Sequence, residues 1–298
     1  MEDQLITYGG QAVIEGVMMR GRTSLAIAMR DPSGQIITHT EELGGIYKSP
    51  LARIPFLRGL ILLWDALGLG MKALTISANT QTGEDEKIEG PMLYLTLGVS
   101  IIIGLTLFLL VPAGIGYLSE QFLKLTTWLG NLIEGLVRLL FLIVYIWAVG
   151  FMPDIRRVFG YHGAEHKTIN AFEAGSELNP EKVSAYSLQH PRCGTAFLLT
   201  VALFSVFIFA LLGPLPSLWW RMGSRILLIP VIAGISYEYI RWTSRHLDSS
   251  FVRALIRPNL ALQMLTTREP DLKMLEVAIT AFQTMRQTEE IGILQQNN

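Results

Sequence analysis

The chain has 298 residues, of which 50% are hydrophobic and 16% charged, with a mean hydropathy of +0.39. That balance is too apolar for an ordinary soluble domain, and a formal net charge of -1 gives no general pull toward nucleic acid or anionic lipid. A single cysteine excludes an internal disulfide.

The opening residues Met1, Glu2, Asp3 and Gln4 lack the basic head and apolar core of a secretory signal. Residues 1–50 read as a β-rich cytosolic segment. Two short apolar runs, 25–30 and 35–39, flank the turn Asp31-Pro32-Ser33-Gly34 and predict a β-hairpin. The glycine-punctuated stretch 9–21 is expected to hold a third strand. Residues 54–78 are apolar but interrupted by Arg58, Asp65 and Lys72 at helical intervals, which suits an amphipathic helix at the membrane interface or docked on a bundle.

Four segments reach the roughly 20 apolar residues of a membrane-crossing helix: 92–118, 132–152, 194–212 and 222–239. They divide into a first pair within 92–152 and a second pair within 194–240. Arg156, Arg157, Lys167, Lys182 and Arg192 stand between the second and third, whereas Lys124 stands alone between the first two. The basic residues therefore predict a cell-membrane protein with both termini cytosolic. Residues 241–298 form a cytosolic C-terminal region. There Leu272, Leu275, Ile279 and Phe282 mark one side of an amphipathic helix after Glu269-Pro270-Asp271, and 291–298 are expected to fray.

The segment 153–193, between the second and third spans, carries the chemistry. It contains His162, His166, His190 and Cys193, three of the five histidines and the only cysteine. In Tyr161-His162-Gly163-Ala164-Glu165-His166-Lys167 the two histidines stand four apart, on one face of a helix, where both can reach one ion. Glu165 completes the order His-x-x-Glu-His used by inverted zinc peptidases. Glu173 lies about 10 Å further along the helix axis at 1.5 Å per residue, too far to share that ion. His190-Pro191-Arg192-Cys193 returns by a loop and supplies further ligands.

Two metal readings stay open. With His162, His166, His190 and Cys193 all bound, the ion is closed and structural. With three bound, zinc would lower the pKa of a water toward about 7, with Glu165 as its base. A third reading has no metal and leaves the histidines as caps or ion pairs. Glu15 and Glu238 are carboxylates in apolar surroundings, Glu238 being expected to pair with Arg241 or Arg245.

Four motifs carry a resemblance: Gly9-Gly10-Gln11-Ala12-Val13-Ile14-Glu15-Gly16-Val17-Met18-Met19-Arg20, the 161–167 motif, His190-Pro191-Arg192-Cys193-Gly194-Thr195, and Tyr237-Glu238-Tyr239-Ile240-Arg241. Together they resemble the bacterial YqhQ-like family, a domain of unknown function (number 1385) described as a predicted metal-dependent membrane enzyme. The resemblance implies a metal-dependent activity centred on His162, Glu165, His166, His190 and Cys193.

The expectation is a mainly α integral membrane protein: a four-span helical bundle with a small N-terminal β-rich segment and a C-terminal amphipathic helix. Its expected function is zinc-dependent hydrolysis at the cytosolic face, with a peptide or membrane protein as substrate, the lipid bilayer as partner and no nucleic acid. The alternative is a non-enzymatic membrane assembly or scaffold factor whose metal site is structural. A transporter would need polar groups facing one another inside the spans, where the sequence reading finds only Glu134, Arg138 and Glu238.

Overall fold

The structure is a computed structural model describing residues 8–44, 54–82, 90–213 and 217–296. The basic residues Lys48, Arg53 and Lys87 and the turn prolines Pro214 and Pro216 lie outside the described residues.

The N-terminal segment is an antiparallel meander of four strands rather than three: β1 (Gly9–Val13), β2 (Gly16–Arg20), β3 (Ser24–Arg30) and β4 (Ile36–Glu42), in the order β1-β2-β3-β4. Between β1 and β2 only Ile14 and Glu15 turn the chain, Glu15 taking a left-handed φ of 53°. The β3–β4 hairpin is the expected one. Gly34 adopts φ 90°, and Asp31 Oδ1 accepts the Gln35 N–H at 2.8 Å.

β3 is apolar from Leu25 to Met29 because both of its faces are covered there. Ala26 and Ala28, with Val17 and Met19 of β2, pack on helices of the C-terminal half, whereas Leu25, Ile27 and Met29 pack beneath Ala73. Ala73 belongs to α2 (Gly70–Gln81), which follows α1 (Leu57–Trp64) across a π-helical turn at Asp65–Leu69.

The apolar helices follow. α3 (Gly90–Leu105) and α4 (Val111–Leu123) run on through a second π-helical turn, Thr106–Leu110, and α5 is Thr127–Val149. Three residues separate the end of α5 from α6 (Pro153–Glu173), and after the short α7 (Pro180–Val183) comes α8 (Gly194–Ala210). Then come α9 (Leu218–Arg245), α10 (Ser250–Gln263) and α11 (Leu272–Gln296). Among the described residues three helices are long and apolar enough to cross a membrane: 90–123, 127–149 and 218–245. The fourth expected span, α8, has 17 residues, slightly short of a straight crossing of roughly 20.

Several expectations are sharpened or corrected. The helix expected around His162 and His166 extends over 21 residues, Pro153–Glu173, half of the segment between the second and third expected spans. α11 continues to Gln296, so most of 291–298 is helical; its burial of Leu275, Ala278, Phe282 and Met285 against the sheet anchors the preceding turns. Within the stretch 54–78, α1 docks on α9, one of the two placements expected, while α2 lies on the sheet. A Cβ on Gly59 would stand 2.9 Å from the Ala233 carbonyl oxygen, so glycine lets the two helices touch, and Arg58 pairs with Glu238 through Nε at 2.6 Å. Glu238 is thus ion-paired as expected, with Arg58 as the partner found.

The apolar helices also enclose a polar core that the sequence reading left incomplete. Arg221 and Arg225, which stand in sequence at the edge of the connection between the third and fourth expected spans, are buried. Glu134 accepts from Arg138 Nη2 at 2.7 Å, from Arg225 Nε and Nη2 at 2.8 Å each, and faces Arg221 Nε at 3.2 Å. Asn131 Oδ1 accepts from Arg221 at 2.5 Å and Arg225 at 2.7 Å. Arg138 Nε reaches the Phe108 carbonyl at 3.0 Å, inside the π-helical turn where helix carbonyls leave their ordinary register. The Phe209 ring lies under both Arg138 and Arg225, 4.8 and 4.6 Å from its centroid.

Candidate metal centre

α6 presents the site, and its ends explain its rigidity. Pro153 stands in the first turn, where no N–H is needed, beside Asp154, whose charge suits a helix N-terminus. At the other end Gly175 (φ 70°) closes a Schellman motif: Ser176 N–H bonds the Ala171 carbonyl and Gly175 N–H that of Phe172, each at 2.9 Å. The returning chain is stitched onto α6. Asn170 Nδ2 donates to the carbonyls of Ser187 and Gln189, and Lys167 Nζ donates to that of Ser184 while pairing with Glu269 at 2.6 Å.

These contacts bring His162, His166 and Cys193 together. One ligand atom from each lies within 4.8 Å of the others, and all three side chains are buried. His162 Nε2 is 3.1 Å from Cys193 Sγ. Each histidine is oriented through its other nitrogen: His162 Nδ1 lies 2.8 Å from the Thr266 carbonyl and His166 Nδ1 2.5 Å from that of Leu188. A carbonyl only accepts, so both Nδ1 atoms carry protons and both Nε2 atoms are turned toward the shared space. His166 Nε2 is buried with no hydrogen-bond partner.

His190 is placed differently. Its ring centroid is 5.9 Å from that of His166, and its Nε2 lies 3.6 Å from Glu173, beyond hydrogen-bond length. It is held by its backbone: Gln263 donates to its carbonyl at 2.8 Å and accepts its N–H at 3.2 Å. Glu173 also pairs with Arg192, consistent with its expected exclusion from the ion. The three convergent side chains are therefore His162, His166 and Cys193, with His190 alongside.

Glu165 is 1% exposed, and its Oε2 has no hydrogen-bond partner. Its carboxyl backs onto β1, where a Cβ on Gly10 would stand 2.9 Å from Glu165 Cδ and 2.6 Å from the Met18 carbonyl oxygen. Gly10→Ala must displace one or the other, so a thermal melt is expected to show a loss of about 1–3 kcal/mol. Glu15 lies apart, paired with Arg157 at 2.6 Å and with the Tyr161 hydroxyl at 3.2 Å.

The charges are strongly coupled. Burial opposes the charged form of His162, but the adjacent Cys193 sulfur and then Glu165 outweigh it and push its pKa up to about 9. Burial alone would raise the Cys193 thiol; His166 and His162 instead hold it well below its ordinary value. Burial raises the Glu165 carboxyl to about 7, against the pull of the two histidines. Without metal this is a thiolate–imidazolium pair beside a carboxyl poised near neutrality.

The sign of the Glu165 effect follows. Its folded pKa is above the unfolded value, so its contribution is fully present below about 4.5 and is lost as pH rises through about 7. Metal-free wild type and Glu165→Gln should therefore differ least near pH 4.5. Above pH 7 the glutamine variant should melt higher, because it has no buried carboxylate to ionise. A difference that does not change between these pH values would refute this assignment.

Sequence reasoning missed Thr266, Gln263 and Asn170. Only Asn170 left a signal, standing four residues beyond His166 on the same helix face.

A small antiparallel sheet backed by helices, three helices long and apolar enough to cross a membrane and, among the described residues, one buried His/His/Cys group define a mostly helical protein. The chain belongs to the family described as "Protein of unknown function (DUF1385)", whose model matches residues 54–288. It is similar to "Uncharacterized protein YqhQ" of Bacillus subtilis (strain 168), with 36% identity over 305 residues, covering 96% of this chain and 94% of that protein. No solved structure matches.

Proposed function

We propose that this chain is a multi-pass membrane protein that holds a zinc ion on His162, His166 and Cys193 and hydrolyses a peptide bond at the cytosolic face. The observation that carries the reading is the convergence of His162, His166 and Cys193 on one buried space, with both imidazole Nδ1 atoms set against backbone carbonyls. Two nitrogens and one sulfur fit zinc and leave a fourth position open. A bound zinc ion would supply the Lewis acidity that activates water and polarises a carbonyl.

The residues of the chain do the rest. Thr266 and Leu188 keep the rings in register through their carbonyls. Glu165, outside the three-ligand group but close enough for its charge to act on His162, accepts a proton at Oε2 and can return it to a leaving amine. Its elevated pKa suits both steps near neutral pH.

The test uses the zinc-loaded chain in proteoliposomes with a mixture of quenched-fluorescent peptides. Chelator-sensitive cleavage is expected, reduced about 10²–10⁴-fold in Glu165→Gln while zinc is retained. Unchanged cleavage in that variant with zinc retained would defeat the reading.

The burial of the whole group favours a second reading, in which the ion is a staple in a membrane scaffold. In that case His162→Ala lowers the melting temperature and Glu165→Gln leaves the assembled protein's function intact.

A further inference from the structure

The charged residues of the apolar helices gather away from the metal centre. Between residues 90 and 149 and between 194 and 237 the only charged side chains are Glu120, Lys124, Glu134, Arg138, Arg221 and Arg225. α8 starts beside Cys193 and runs 17 residues, about 25 Å at 1.5 Å per residue. Just beyond its far end, the Leu212 carbonyl accepts from Asn131 Nδ2 at 2.9 Å. The network around Asn131 and Glu134 thus reaches the end of the bundle opposite the His/Cys group.

This network is not neutral. Arg138, Arg221 and Arg225 are 7%, 4% and 0% exposed, and they face two carboxylates, Glu134 and Glu120. One guanidinium charge is in excess, and Lys124, exposed at the same end, adds another. Arg221 is the outermost of the three. It pairs with Glu120 and Asn131 through Nη2 and faces Glu134 through Nε, while its Nη1 has no hydrogen-bond partner among the described residues. Trp219 and Trp220, 81% and 66% exposed, precede it on α9, as aromatic side chains do at the level of lipid headgroups.

An excess buried cation with a spare donor, next in sequence to two exposed tryptophans, suits an anion with several acceptor oxygens. We propose that Arg221, backed by Arg225, binds a phosphate group, either in the headgroup of an anionic phospholipid or as the free anion. Guanidinium suits this chemistry because its planar donors match phosphate oxygens. Glu120 competes for the same side chain and sets the affinity. The inference rests on the bundle lying in a bilayer and is independent of the metal centre; co-sedimentation of the chain with membranes tests the bilayer reading separately.

The experiment uses the full chain, delipidated in neutral detergent, and compares retention of phosphatidylglycerol and phosphatidylcholine by native mass spectrometry. Phosphatidylglycerol should be retained about tenfold more tightly, the worth of one charge-assisted contact. Arg221→Gln should erase that preference. Glu120→Gln, which keeps all three guanidiniums and removes the competitor, should strengthen it. Preference that survives added inorganic phosphate assigns the lipid headgroup, and preference abolished by it assigns the free anion. Equal retention of the two lipids by wild type together with no retention of inorganic phosphate, or no change in both variants, would overturn the proposal.

Discussion

Zinc content is expected to be about one ion per purified chain and to fall to background in His162→Ala, His166→Ala and Cys193→Ser, while His190→Ala keeps it. The first three side chains place their ligand atoms within 4.8 Å of one another, whereas the His190 ring faces Glu173. Each of the three losses removes one of three ligands and leaves a buried space that two cannot fill. Plasma emission spectrometry on protein purified without added metal, with the variants checked for folding by circular dichroism, gives the answer directly. Zinc lost in His190→Ala as well would restore the four-ligand closed site that the sequence left open. Zinc absent from wild type would leave the group as a thiolate–imidazolium pair.

The second large effect is expected at Glu134. Glu134→Gln removes a carboxylate that faces Arg138, Arg221 and Arg225, yet keeps nearly the same volume. Three guanidiniums would then share Asn131, the Phe108 carbonyl and Glu120. Breaking a buried ion pair from one side costs about 3–5 kcal/mol, because the remaining charge stays buried. A fall of that size in unfolding free energy, measured in detergent, should far exceed the effect of Arg30→Ala. Arg30 pairs with Glu276 at an exposed surface, where a pair contributes roughly 0–1 kcal/mol. Equal effects from the two substitutions would mean that the network around Glu134 is solvated.

The residues that were legible in the sequence share one property: their neighbours are close in the chain. The four-residue spacing of His162 and His166 fixes their common face whatever surrounds α6, and Asp31-Pro32-Ser33-Gly34 dictates its hairpin through local dihedral preference. The apolar helices announce themselves by length. What escaped depends on partners far away. Arg221 and Arg225 look like loop-edge cations until α9 is set against α5, 90 residues or more upstream, where Glu134 and Asn131 meet them. His190 stands near Cys193 in sequence, yet its backbone is held by Gln263, 73 residues on, and its ring lies beside Glu173. β1 was hidden for a different reason. Gly9-Gly10-Gln11 lacks the alternation of an amphipathic strand, and glycine is needed at Gly10 because Glu165 and the Met18 carbonyl leave no room for a Cβ.

The carbonyl that fixes the His162 ring belongs to Thr266, 104 residues further along the chain. While the ribosome is still producing residues 194 to 245, the imidazoles of α6 already exist but nothing holds His162 in its Nδ1–H form. Only when α10 has been synthesised and has docked on α8, through Asn259 and Thr200, does the third edge of the pocket close. The His/Cys pocket is therefore completed from the C-terminal side, by a segment laid down only after all the long apolar helices.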